Sequence, residues 1–141
     1  MIKKLLICFC VLFAIEGVAF AGQGPLVFMS SDKEGLKKGD SFDCRNKIFI
    51  HADFSGLKNK AHAASVVWIN PQGRKQDDAD YKFSGKAHHV WFLLELHPAL
   101  GGKLFKSIDP SIGMEEFIGA WSANFYLDNR LVESRLFYVA C

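Results

Sequence analysis

The sequence predicts an all-β domain, and three observations carry that expectation. Short segments alternate apolar and polar side chains with period two, the signature of a half-buried strand. Turn-forming Pro, Gly, Asn and Asp residues separate these segments. No stretch shows the 3.6-residue apolar repeat of a convincing amphipathic helix. Counted this way there are about seven strands, enough for a two-sheet sandwich or a small barrel. At 141 residues the chain allows one domain, and with half its residues hydrophobic and 23% charged it is not a disordered one.

The chain starts with an address. Lys3 and Lys4 form a positive n-region, Leu5 to Ile15 is an apolar run, and Ala19-Phe20-Ala21 places small residues before Gly22. That plan predicts a secretory signal peptide over residues 1–21, cleaved after Ala21, with residues 22–141 as a single domain. A membrane anchor needs roughly 20 apolar residues, more than this run supplies before Glu16. Acylation at Cys8 or Cys10 does not fit, because bulky Ile7 and Phe9 stand where a small residue should precede the cysteine. Cleavage removes Lys3, Lys4 and Glu16 and leaves 120 residues of formal charge +1. Such a chain carries no basic excess for nucleic acid, so no nucleic-acid partner is expected. No stable membrane anchor is expected after cleavage, and the protein should be periplasmic or secreted.

The remaining elements follow in order. Pro25 to Ser30 reads as a short first strand and Ser31 to Asp40 as a polar loop with two glycines. Lys47 to Phe54 alternates, with Ile48, Ile50, Ala52 and Phe54 inward; Lys47, His51 and Asp53 face out, joined by the exceptional Phe49. Ala63 to Asn70 is apolar on both faces, as in a strand central to its sheet, and ends at Pro71-Gln72-Gly73. Asp80 to Ser84 reads as a short edge strand after the polar stretch Arg74 to Asp78. His88 to His97 is the strongest strand, with Val90, Phe92, Leu94 and Leu96 on the core face; Pro98 stops it. A loop with Gly101-Gly102, Asp109-Pro110 and Gly113 precedes the last two strands, Gly119 to Leu127 and Leu131 to Ala140, which join at Asp128-Asn129.

Cys44 and Cys141 remain after cleavage. In an oxidising compartment such a pair is expected to form a disulfide, with two free thiols or an intermolecular bridge as the alternatives. No cysteine pair has redox CxxC spacing, and the count excludes a multi-cysteine zinc site.

Val66-Val67-Trp68-Ile69-Asn70-Pro71-Gln72-Gly73 runs a strand into a Pro-x-Gly turn, and Gly119-Ala120-Trp121 to Asn129 with Phe137-Tyr138-Val139 forms a closing hairpin. Over most of residues 44–141 this resembles the immunoglobulin-like domains of exported bacterial proteins. The resemblance implies an antiparallel sandwich of about seven strands with Trp68 and Trp121 in its core. The cysteine spacing departs from the antibody-type bridge, since the second cysteine is residue 141. The resemblance therefore implies an architecture and no particular family.

Residues that could carry chemistry are few. Of His51, His62, His88, His89 and His97, His88 and His89 point to opposite faces. His89 and His97 would lie about 27 Å apart along a strand. A metal site would need His51 brought to a histidine of the 88–97 strand, with Glu95 as a nearby carboxylate, and none is expected. Met29 and Met114 form no Met/His cluster for copper. Ser55-Gly56 and Ser84-Gly85 occur without a Gly-x-Ser-x-Gly elbow, adjacent Glu115-Glu116 would diverge, and no phosphate-binding glycine loop is present. No catalytic residue and no cofactor are expected. Trp91 and Leu93 share the face opposite Val90, Phe92 and Leu94, and Phe49 has the same outward parity. If their strands pair, these three form an apolar patch that either meets a partner or lies under residues 98–118. The function expected is thus a non-enzymatic, exported protein-interaction or self-assembly module of unknown partner. A small-ligand or metal binder using the histidines, or a carbohydrate binder stacking on Trp91, is the alternative.

Overall fold

The computed structural model describes residues 25–86, 88–98 and 113–141. The expected signal peptide lies outside the described residues, as do residues 99–112 of the segment expected to cover the outer patch. Among the described residues the fold is all-β: β1 (Leu26–Ser30), β2 (Ser41–Asp43), β3 (Ile48–Phe54), β4 (Ala61–Ile69), β5 (Lys75–Ser84), β6 (His88–Leu94), β7 (Gly119–Leu127) and β8 (Arg130–Ala140). Glu115–Phe117 adds one 3-10 turn before β7.

The strands form two sheets, one in the order β1-β3-β6 and the other β2-β8-β7-β4-β5. Both contribute to one core, as the alternation predicts. Ile48, Ile50 and Ala52 of β3 and Val90, Phe92 and Leu94 of β6 are buried together with Trp68 of β4 and Trp121, Ala123 and Phe125 of β7. Phe125 joins the layers, with Phe54 and Phe92 of the smaller sheet each 5.9 Å from its ring. Trp68 and Trp121 are core residues that both pack on Phe137, edge-on at 6.0 Å and stacked at 5.8 Å. The Trp121 indole donates to the Phe117 carbonyl at 2.8 Å, which fixes the 3-10 turn against β7. Asp128 and Asn129 turn the β7–β8 hairpin with φ of 49° and 64°, the left-handed pair that those residue types tolerate.

Three features depart from the sequence expectation. The short β2, unmarked by any long alternation, pairs with β8 in parallel, so the larger sheet is not purely antiparallel. β5 runs ten residues from Lys75, taking in Gln76, Asp77 and Asp78 of the polar stretch expected to precede the strand. It is the edge of its sheet and almost wholly exposed, so its polar residues mark an edge rather than a break. β6 ends at Leu94, although Leu96 still points into the core.

Cys44 and Cys141 are joined by a disulfide with a Cα–Cα distance of 5.2 Å. It sits where β2 runs beside the end of β8, and the Cys44 amide donates to the Ala140 carbonyl at 2.7 Å.

Candidate functional site

The chemically richest region is the outer face of the three-stranded sheet. Antiparallel register sets Phe28 opposite His51 and Ser30 opposite Phe49 on one side of β3, and Phe49 opposite Leu93, His51 opposite Trp91 and Asp53 opposite His89 on the other. Strand alternation then puts all of these side chains on one face.

Part of the face is roofed by the β1–β2 loop. Asp32 organises the loop: its carboxylate accepts the Lys37 amide at 2.7 Å and the Leu36 amide at 3.1 Å. The Lys37 hydrogen bond is the main reason its carboxyl is held below the ordinary range. Gly35 adopts φ +73°, and a Cβ there would stand 2.9 Å from the Phe28 ring and 3.4 Å from His51. Only glycine allows both the turn and the close approach. Lys38 lies 4.2 Å over the Phe28 ring and Lys33 5.0 Å over the Trp91 ring.

Under this roof runs a chain of polar groups. The Ser30 hydroxyl donates to the Asp32 carbonyl at 2.6 Å and faces His51 Nε2 at 2.7 Å. His51 Nδ1 faces His89 Nε2 at 3.1 Å, and His89 Nδ1 is hydrogen bonded to Asp53. His51 is fully buried and stacks on Phe28, 4.8 Å between rings. Burial is the chief cause that lowers its pKa, against the nearby Asp32 carbonyl oxygen, an acceptor that favours the charged ring. His89 is 43% exposed and opens to a recess of about 390 Å³ lined by Tyr81, His89, Val90 and Trp91. Serine, histidine and aspartate in series are the groups of an acyl-transfer relay. Ser30, however, is wholly buried, so no substrate carbonyl can reach it.

The sequence-selected residues fall as follows. Trp91 and Leu93 lie opposite Val90, Phe92 and Leu94, as parity requires, and Phe49 meets Trp91 edge-on at 5.7 Å. Phe49 is only 6% exposed, so it supports the patch from beneath rather than presenting itself. Leu93 is half-buried and Trp91 is 38% exposed. His51 and His89 are brought together across β3 and β6, while Glu95 pairs instead with Lys47 and His97. His88 stacks on Phe83 at 4.8 Å. Met29 and Met114 are buried in the core. Among the described residues no group of three or more His, Cys, Asp or Glu side chains is arranged to hold a metal.

His62 has a structural post. Its ring bonds the Asp128 carboxylate and the Lys58 carbonyl, each at 2.8 Å, tying the β3–β4 loop to the β7–β8 turn. Both partners are acceptors, so the ring is held as imidazolium; the Asp128 hydrogen bond is the chief cause that raises its pKa.

Ser30, Asp53 and Tyr81 were not singled out from sequence. The spacing of His51 and Asp53 is a usable signal, because residues two apart on a strand share a face. Ser30 and Tyr81 join the site only through strand register and the meeting of two sheet edges.

No family model and no curated protein matches the chain. Among solved structures it is similar to Pseudomonas fluorescens alkylpurine DNA glycosylase AlkC bound to DNA containing an abasic site analog, at 9% identity and a TM-score of 0.45. The match covers 82% of this chain and 30% of that one, and likeness of that size bears on no functional question.

Proposed function

We propose that the protein is a non-enzymatic, exported, immunoglobulin-like module that binds a protein partner, or a second copy of itself, at the seam between β5 and β6. The observation that carries this is a pair of exposed aromatics on rigid strands: Trp91, 38% exposed, and Tyr81, 46% exposed, flank the recess beside His89. Amphipathic aromatics held by strands are the usual anchors of protein interfaces, because little side-chain entropy is lost when they are covered. The burial of Ser30 favours binding over hydrolysis at the same face.

Strand order supports the immunoglobulin-like reading. The chain enters in the small sheet as β1, then crosses to lie parallel to the last strand as β2; β5 extends the β8-β7-β4 sheet by an edge, as in variable-type domains. The Lys3–Lys4, Leu5–Ile15 and Ala19–Ala21 pattern and the Cys44–Cys141 disulfide support an oxidising, exported setting.

The test is a photo-crosslinker at position 81 in the natural host, with sedimentation of the purified protein alongside. A discrete cross-linked protein or dimer is expected, lost at least tenfold in Trp91→Ala while the circular dichroism spectrum is unchanged. Cross-links that ignore Trp91→Ala, or a glycan as the bound species, overturn the reading.

A further inference from the structure

We propose that His51 and His89 together form a binding site for a divalent transition-metal ion of the zinc and copper class. The inference is independent of the seam reading above and starts from the outer partners of the two rings. Asp53 offers the His89 ring only acceptor oxygens, so Nδ1 of His89 carries a hydrogen. The Ser30 hydroxyl hydrogen goes to the Asp32 carbonyl, so its oxygen accepts and Nε2 of His51 carries a hydrogen.

The two inner nitrogens, His51 Nδ1 and His89 Nε2, are then left with lone pairs that face each other across 3.1 Å. Two acceptors at that distance repel. Either a cation lies between them, or Ser30 releases Asp32 and donates to His51 Nε2, so that His51 Nδ1 donates to His89 while the His89–Asp53 bond stays as it is. A metal ion bound about 2.0–2.1 Å from each nitrogen would see them at about 100°, near the tetrahedral angle. Both rings have the support that metal-binding histidines need: a carboxylate behind one and a hydroxyl behind the other fix the tautomers that present lone pairs inward. His51 is rigid, being fully buried and stacked on Phe28. His89 borders the open recess, which provides the approach from its side of the pair. Imidazole nitrogens select zinc, copper and nickel over magnesium or calcium, and copper(II) should bind tightest of the three.

The experiment titrates the protein, purified without a polyhistidine tag, with ZnCl2 and separately CuCl2. Calorimetry in two buffers of different ionisation enthalpy counts released protons, and the zinc titration is followed by histidine-ring NMR. One ion per chain is expected, with the His51 and His89 rings shifting first and copper binding more tightly than zinc. His89→Ala, on an exposed strand position that should fold, is expected to weaken binding at least 100-fold. Asp53→Asn should weaken it about 10- to 100-fold through the lost support of the His89 ring. His97→Ala, remote from the pair, should leave it unchanged. Binding that survives His89→Ala overturns the proposal. So does a pair of rings that responds to pH but not to millimolar zinc, which would mean that a shared proton alone fills the gap.

Discussion

Replacing Cys141 by serine isolates what the disulfide does for stability. Cys141 is exposed whereas Cys44 is 1% exposed, so the change at 141 opens the bond without burying a hydroxyl in the core. The bond closes a loop between residues 97 apart. In the chain-entropy account a loop near 100 residues lowers the entropy of the unfolded chain by about 4.7 kcal/mol at 25 °C. Residual structure in the unfolded ensemble reduces that figure, and about 3–4 kcal/mol is the expected loss. With a urea slope of about 1.5 kcal/mol/M, the midpoint should fall by roughly 2 M. The slope itself should rise, because an uncrosslinked unfolded chain exposes more surface. Tryptophan fluorescence reports the transition directly, since Trp68 and Trp121 are both core residues. A midpoint within about 0.5 M of the parent, at unchanged slope, would refute the reasoning: the strands alone would then hold β2 against β8.

Other expectations follow from the same contacts. His62→Ala should cost about 2 kcal/mol at pH 5, where the imidazolium bonds both Asp128 and Lys58. Folding raises the His62 pKa from 6.5 and lowers that of Asp128 from 3.8. For Asp128, the hydrogen bonds from His62 and Ala63 outweigh the opposing effect of burial. The clamp therefore contributes fully between those two values, weakening as pH rises through the folded His62 pKa or falls through the folded Asp128 pKa. The gap between the urea midpoints of parent and variant should narrow by pH 9 to what the buried ring's packing and one neutral hydrogen bond contribute; a gap that does not change with pH would exclude the charged clamp. Gly35→Ala should cost about 2 kcal/mol by calorimetry, from the left-handed backbone and the crowding of Phe28. Wild-type stability in that variant would mean that the loop does not roof the sheet. Trp91→Ala should cost about 1–2 kcal/mol, well below the ~3–5 of a core aromatic, because the ring keeps 38% of its surface in water. A core-sized loss in chemical denaturation would show that the ring is covered in solution.

Legibility followed period and parity. Alternation in β3 and β6 sorted Ile48, Ile50, Val90, Phe92 and Leu94 inward and Trp91 and Leu93 outward, and Asp128-Asn129 marked its hairpin. Parity says which face a residue takes but not what lies over that face. His51 looked like a solvated outward residue and is fully buried, because the Asp32-organised loop returns over it, a contact that depends on Gly35 and on tertiary closure. The histidine chain was invisible for a related reason. The need for His51 to meet a histidine of the 88–97 strand was readable, but choosing His89 requires the register that sets Asp53 opposite it. β2 and the start of β5 were missed because three residues give no period, and a solvated edge gives no apolar one.

The composition of β5 also governs how copies of this protein can meet. An open ten-residue edge is a template for a second copy's edge, and such pairing propagates into fibres. Antiparallel pairing of two such edges about Ala79 would set Asp78 of each against Asp80 of the other, two repelling pairs in the middle of the new ladder. Slipping the register by one residue sets Asp77 of each copy against Asp80 of the other, and slipping it by two brings Asp78 onto its own copy. The aspartates thus penalise the central registers of edge-to-edge growth. Neutralising Asp78 and Asp80 together should leave the fold intact and raise the tendency of the edges to pair into fibrils.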